Sequence, residues 1–180
     1  MRPPAPKRIP AWAWARLDAF LRPATSVDRL RSRIVSYWRW GIANEPAIHY
    51  RQERPMEDLR NPARLKGLPR WADCSEFVTD GYAWAGADDP NRCGYSGAGY
   101  TGTLLAYGRP IALSEALPGD VLVLGAGDGR HACGVLEADD VDPLLVSHGQ
   151  ERGPIAIRYS VERAYFAAEP AAFLCFLPTR

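Results

Sequence analysis

The 180-residue chain has no apolar run near the ~18 to 20 residues that a membrane-spanning helix needs. Its first residues, MRPPAPKRIP, lack the apolar centre of a secretory leader. These absences predict a protein made soluble in a cytoplasm, for which any destination outside the cell requires another exit route. Cysteine is scarce. Cys74, Cys93, Cys133 and Cys175 contain no CxxC pair, which offers neither a zinc knuckle nor a disulfide framework. Lysine occurs only at positions 7 and 66, arginine supplying the other 20 basic residues, a hint of a GC-rich coding genome. What is present is enough for a core: 47% hydrophobic and 11% aromatic residues argue against disorder, and the length fits one domain.

The net charge of +1 hides an asymmetry. Residues 1 to 70 carry 15 basic and 6 acidic side chains, whereas residues 71 to 180 carry 7 and 15. Either the basic half packs on its own acidic half, the simpler reading, or it forms a patch for an anionic polymer or membrane surface.

Residues 1–24 read as a Pro/Arg-rich tail with a short helix over 11–21 that Pro23 ends, and residues 25–180 as the main domain. Thr25 and Asp28 form a capping box, after which Val27, Leu30, Ile34, Tyr37, Trp38 and Gly41 trace one helical face. Those aromatic residues lie on the apolar stripe and read as core rather than as a nucleic-acid stacking surface. An irregular stretch broken by Pro46, Pro55, Pro62 and Pro69 leads to ADCSEFVTDGYAWAG, where Asp73 is an N-cap, Glu76 can close a second box, and the helix begins at Cys74. From Pro118 the period becomes strand-like, with strands expected at 120–124, 131–138, 143–148, 154–159 and 172–177. Helices followed by strands predict an α+β domain, a cysteine helix laid on an antiparallel meander of about five strands.

A thiol at a helix N-terminus meets unpaired N–H groups and the positive end of the helix dipole, which favour thiolate and can later hold an oxyanion. The bland alternative is a buried, inert cysteine. A thiolate needs a proton acceptor, and the chain has three histidines. His131 opens a strand and His148 closes the next, so antiparallel neighbours can bring the two rings together as base and orienter. His49, in the irregular segment, reads as structural.

The linked set Asp73-Cys74-Ser75, then Pro118-Gly119-Asp120 opening a strand, His131 heading the next strand and His148 downstream resembles the NlpC/P60 cysteine peptidases of bacterial cell walls, from about Tyr50 to the C-terminal strand. Within that family the runs IANEPAIHYRQERPM, GAGYTGTLL and SHGQERGP are most similar to peptidase domains of lysins from phages of actinobacteria.

The resemblance implies a papain-like fold and a monomeric peptidoglycan hydrolase of the endolysin type, made in the host cytoplasm and acting at the cell wall, or virion-associated. Cys74 would attack a stem-peptide amide, His131 would take the thiol proton, His148 would orient His131, and Tyr50, Asp73 and Ser75 would contact substrate. No metal or cofactor, nucleic acid or stable membrane insertion is implied. The alternatives are a muramoyl-alanine amidase like the related CHAP lysins, and a non-catalytic wall-binding or virion structural protein. Two positions depart from the family pattern: Glu76 stands where glycine is usual, and Tyr50 precedes Cys74 by 24 positions.

Overall fold

Thr25 opens the fold by the reciprocal cap its sequence predicts: its hydroxyl accepts the Asp28 N–H at 3.1 Å, and the Asp28 carboxylate accepts the Thr25 N–H at 3.0 Å. The computed structural model describes residues 25–56, 59, 61–150 and 152–178; the expected N-terminal tail and its short helix lie outside them. Helix α1 follows the cap over Ser26–Ala43 and buries Val27, Ile34, Tyr37, Trp38 and Gly41, the stripe expected from the 3.6-residue period. Arg31 is buried on the same helix and donates to the Asp120 carboxylate at 2.9 Å and to the Pro118 carbonyl at 2.8 Å. The Pro-Gly-Asp turn is thereby tied to α1.

A short strand β1 (Ile48–Tyr50) pairs in parallel with β2 (Arg70–Ala72), which delivers the chain to α2 (Cys74–Ala85). Then come α3 (Thr101–Tyr107), β3 (Arg109–Ile111), β4 (Val121–Leu124), β5 (His131–Glu137), β6 (Leu144–Gly149), β7 (Arg152–Arg158), α4 (Tyr159–Tyr165) and β8 (Ala171–Cys175). The class is α+β, with an antiparallel sheet of six strands in the order β3-β8-β4-β5-β6-β7. Strands β4 to β7 form the expected meander. The fifth expected strand, β8, does not continue it but returns to lie between β4 and the edge strand β3. Neither β3 nor the β1–β2 pair was expected from the sequence; each has three residues, too few for an alternation to be read.

The sheet is buried on both faces. Val121, Val123, Ala132 and Val146 face α1 and α2, while Leu122, Leu124, Cys133, Val135, Leu145 and Phe173 form a second cluster on the opposite face with Tyr159 and Phe166. Trp38 fixes how α1, α2 and the sheet meet. A methyl group added at Gly81 of α2 would lie 2.5 Å from the indole nitrogen of Trp38, and one added at Gly134 of β5 would lie 2.5 Å from its ring carbons. The indole therefore occupies a slot that two absent side chains create, and it donates from Nε1 to the Val78 carbonyl at 3.3 Å. The opposite charges of the two halves meet within the domain: Arg31 with Asp120, Arg39 with Glu137, Arg54 with Asp73, and the fully buried pair Arg70 with Asp80. These contacts favour the self-packing reading of the charge asymmetry. Among the described residues no helix is long and apolar enough to cross a membrane.

Candidate active site

Cys74 is the first residue of α2, as the capping signal predicts. Asp73 is extended and its Oδ1 accepts the Glu76 N–H at 2.8 Å, which starts the helix at the cysteine. The same carboxylate is saturated by its neighbours. Oδ1 also accepts the Ser75 hydroxyl at 2.8 Å, Oδ2 accepts Arg54 Nη1 at 2.6 Å, and Arg54 Nη2 reaches the Ser75 oxygen at 3.0 Å. Arg54 is anchored in turn on the Gly99 carbonyl at 2.8 Å. Asp73 and Ser75, expected to touch substrate, are both buried and spend their polar atoms on this brace, which holds the turn carrying the thiol.

His131 is the first residue of β5, placed at the end of the sheet by the turn that residues 125–130 make. In that turn Gly125, Gly127 and Gly129 all take positive φ, conformations open to glycine at little cost. Its Nε2 lies 3.0 Å from Glu162 Oε1 and 2.9 Å from Ser147 Oγ, and the Ser147 hydroxyl donates to the same Glu162 oxygen at 3.1 Å. Because a carboxylate only accepts, Nε2 carries the proton, and in the neutral ring Nδ1 is left as the acceptor. Phe166 stacks on the imidazole with ring centres 5.7 Å apart and planes within 7°. Glu162 and Phe166 sit four positions apart on α4 and its C-cap, so one short helix supplies both the carboxylate and the apolar cover.

Two thiols flank this ring, Cys133 on its own strand and Cys74 from α2. Burial works against the His131 cation, but the contacts with Cys133, Cys74 and Glu162 outweigh it and raise the pKa well above 6.5. Burial likewise works to raise the Glu162 pKa, and the His131 and Ser147 contacts bring it below its usual value. The opposite shifts agree in direction: once the ring takes a proton at Nδ1, the Glu162 carboxylate stabilises the resulting imidazolium. Cys133 is driven the other way, its pKa raised chiefly by complete burial.

His148 does not fill the orienting place expected of it. In the β5–β6 ladder Cys133 faces Ser147 and Gly134 faces Val146. Side chains alternate along a strand, so Ser147 shares the face of His131 and Cys133, and His148, one residue on, turns to the other face. There its Nε2 donates to the Ala72 carbonyl at 3.0 Å, and its ring lies edge-on to Tyr50 and Phe77. Burial lowers its pKa to about 4, the carbonyls of Ala72, His49 and Arg152 pulling the other way. The neutral ring thus joins the turn before Cys74 to β6. His49 is exposed, and its ring lies tilted against Trp71 with centres 5.3 Å apart.

Tyr50 is the expected substrate contact that does face open space. With His131, Ser147, Arg152, Glu162 and Phe166 it lines a cleft of about 440 Å³. Burial, followed by the charges of Cys74 and Asp73, pushes its phenol up to about 12. Glu76 lies on the other side of the turn, where its side chain lines a second hollow of about 230 Å³ with Arg51, Arg64 and Trp71.

Glu162 is the site residue that the sequence reading missed. Helix α4 has seven residues, its own N-cap residue makes no side-chain cap, and Asp142 caps it from a distant loop, accepting the Ser160 N–H at 2.7 Å and the Ser160 hydroxyl at 3.0 Å. The only local signal was a carboxylate and an aromatic residue four apart in VERAYF. As for ions, His131, Cys133 and Glu162 place a nitrogen, a sulfur and an oxygen within 4.8 Å of one another. No protein-family model, no curated protein and no solved structure gives a significant match to the chain.

Proposed function

We propose that the chain is a thiol-dependent peptidoglycan hydrolase with a papain-like arrangement of its site, cleaving an amide of the wall stem peptide. The observation that carries this reading is the His131 ring held between the Cys74 thiol, at a helix N-terminus, and the Glu162 carboxylate. The resemblance of the Asp73-Cys74-Ser75, Pro118-Gly119-Asp120 and His131 segments to NlpC/P60 peptidases supplies the substrate class.

In this reading the Cys74 proton passes to His131 Nδ1 and the thiolate attacks the amide carbon. Asp73 takes the Glu76 N–H, and the Cys74 and Ser75 N–H groups, which lack helical acceptors, face the developing oxyanion. Collapse of the tetrahedral adduct breaks the C–N bond, and the imidazolium returns its proton to the leaving amine. A thioester remains on Cys74. Water, activated by His131, then attacks the thioester, releasing the acid and restoring the thiol. Glu162 takes the role that the resemblance gives to His148: it fixes the tautomer through Nε2–H and stabilises the imidazolium. Arg54, Asp73 and Ser75 hold the nucleophile's turn, and Tyr50 and Arg152 line the cleft for the peptide.

The test is loss of turbidity of a bacterial wall suspension, with mass analysis of the soluble products. Release of stem-peptide fragments by the parent and not by Cys74→Ala supports the reading. Free muramoyl sugars and intact stem peptides would instead assign amidase chemistry to the same site. Equal products from parent and Cys74→Ala would overturn thiol catalysis, and wall binding without products would favour a non-catalytic role.

A further inference from the structure

The groups around His131 Nε2 have a capacity that hydrolysis does not use. Cys133 is fully buried beneath the ring, its Sγ 3.9 Å from Glu162 Oε1, and that oxygen is 3.0 Å from His131 Nε2. Zinc bonds of ~2.3 Å to sulfur and ~2.0 to 2.2 Å to nitrogen and oxygen, set at tetrahedral angles, require ligand atoms roughly 3 to 4 Å apart. The two separations that involve Glu162 already fall in that range, and the nitrogen, sulfur and oxygen all lie within 4.8 Å of one another, so a small side-chain adjustment completes the set. Their charges also match: a thiolate and a carboxylate neutralise a divalent cation, and a neutral imidazole completes the set. Ser147 Oγ, 2.9 Å from Nε2 and 3.1 Å from the Glu162 oxygen, can supply the fourth ligand, and His131, Ser147 and Glu162 line the cleft from which a water could do so instead. The sulfur and nitrogen donors favour zinc over magnesium or calcium, which prefer oxygen alone.

We propose that His131, Cys133 and Glu162 form a binding site for zinc or a similar thiophilic divalent cation, and that its occupancy switches the Cys74 site off. The ion takes the place of the proton shared by His131 and Glu162, and Cys133 releases its proton to solvent on binding. A neutral imidazole metallated at Nε2 must carry its proton on Nδ1. It then has no lone pair with which to receive the thiol proton of Cys74, and it no longer has Glu162 as a free partner. A nucleophile built on thiol and imidazole is thus held silent without touching the thiol itself. The switch rests on the hydrolase reading; the metal site does not.

The experiment titrates the full chain with cobalt(II) alone, without wall substrate, and follows the visible bands of a tetrahedral ion and its sulfur-to-metal charge transfer. One equivalent, displaced by zinc, is expected. Cys133→Ser and Glu162→Gln should each weaken binding about tenfold or more, since loss of even an outer-shell partner costs ~10 to 100-fold, while Cys74→Ser keeps the stoichiometry. Where Cys133→Ser fails to fold, Glu162→Gln gives the same reading. No tetrahedral spectrum at micromolar metal, or a spectrum that survives Cys133→Ser and vanishes in Cys74→Ser, overturns the site. The switch is read from iodoacetamide labelling of Cys74 with and without zinc. A slowing in the parent that the two ligand variants lose supports it, and an unchanged rate in the zinc-loaded parent overturns it. Neither readout uses wall hydrolysis, so a failure of the hydrolase reading shows separately.

Discussion

Glu162 Oε1 and His131 Nε2 stand 3.0 Å apart although the two residues are separated by two strands and the helix that brings the carboxylate back. The pair converts an imidazole at a sheet end into a ring of defined tautomer, with its free nitrogen left for a thiol.

The first consequence concerns rate. Glu162→Ala is expected to lower kcat for wall hydrolysis by roughly 10²-fold or more with little change in KM, because the carboxylate acts on the ring rather than on substrate. Glu162→Gln, which can still accept from Nε2–H, should retain more activity than Glu162→Ala. His131→Ala should fall to background. Progress curves on a soluble stem peptide separate these, and an unchanged kcat in Glu162→Ala would remove the carboxylate from the mechanism.

Cys74→Ala should abolish hydrolysis and leave the thermal midpoint close to that of the parent. Cys74 is buried, as Cys133 and Cys175 are, but it alone of the three begins a helix; in the folded parent, alkylation is therefore expected at Cys74 and at the half-buried Cys93, and to spare Cys133 and Cys175 within their strands. Peptide mapping after brief labelling checks this. Full activity in protein alkylated at Cys74 would sink the nucleophile assignment.

His148 should govern acid stability more than rate. Its pKa is lowered from 6.5 to about 4 by burial. A depressed native pKa means that the unfolded chain takes up the proton first, so the contribution is complete above pH 6.5 and is lost as pH falls towards 4. Over that window the loss amounts to about 3 kcal/mol. His148→Asn, which can still donate to the Ala72 carbonyl, should flatten this part of the stability profile and keep kcat within a few-fold. Denaturant midpoints measured from pH 7 to pH 4 give the slope. Identical slopes in parent and variant would mean that the ring is not held neutral.

Gly134→Ala is expected to destabilise the fold by about 1 to 3 kcal/mol through overpacking against Trp38, although alanine in place of glycine ordinarily favours a strand. Trp38→Leu should recover part of the loss in the double variant but not on its own background. Urea midpoints of the four proteins form the cycle, and additive effects would contradict direct contact.

Local rules made part of this site legible. Thr25 and Asp28 cap α1, Asp73 caps α2 at Cys74, and period-two patterning located the four meander strands. Each of those signals lies within a few residues of what it specifies. Glu162 was hidden because α4 is under two turns long and takes its cap from Asp142, so neither periodicity nor a start signal marks it. The place of His148 was misjudged for a different reason. Ends of antiparallel neighbours do meet, but the face each ring takes depends on register, and a slip of one residue reverses it. Here the pairing of Cys133 with Ser147 decides the matter in favour of the serine.

The seat of β8 between β3 and β4 also sets a sequence of events. Strands β4 to β7 pair with near neighbours through short connections, whereas Val121 of β4 pairs with Leu174 and Arg109 of β3 with Cys175. Loop closure makes such distant pairings slow, so the meander is expected to form first and wait with the outer edge of β4 unsatisfied. Until β8 arrives, that exposed edge is the point at which a folding molecule can be captured by another copy, and the yield of soluble protein should depend on concentration during refolding.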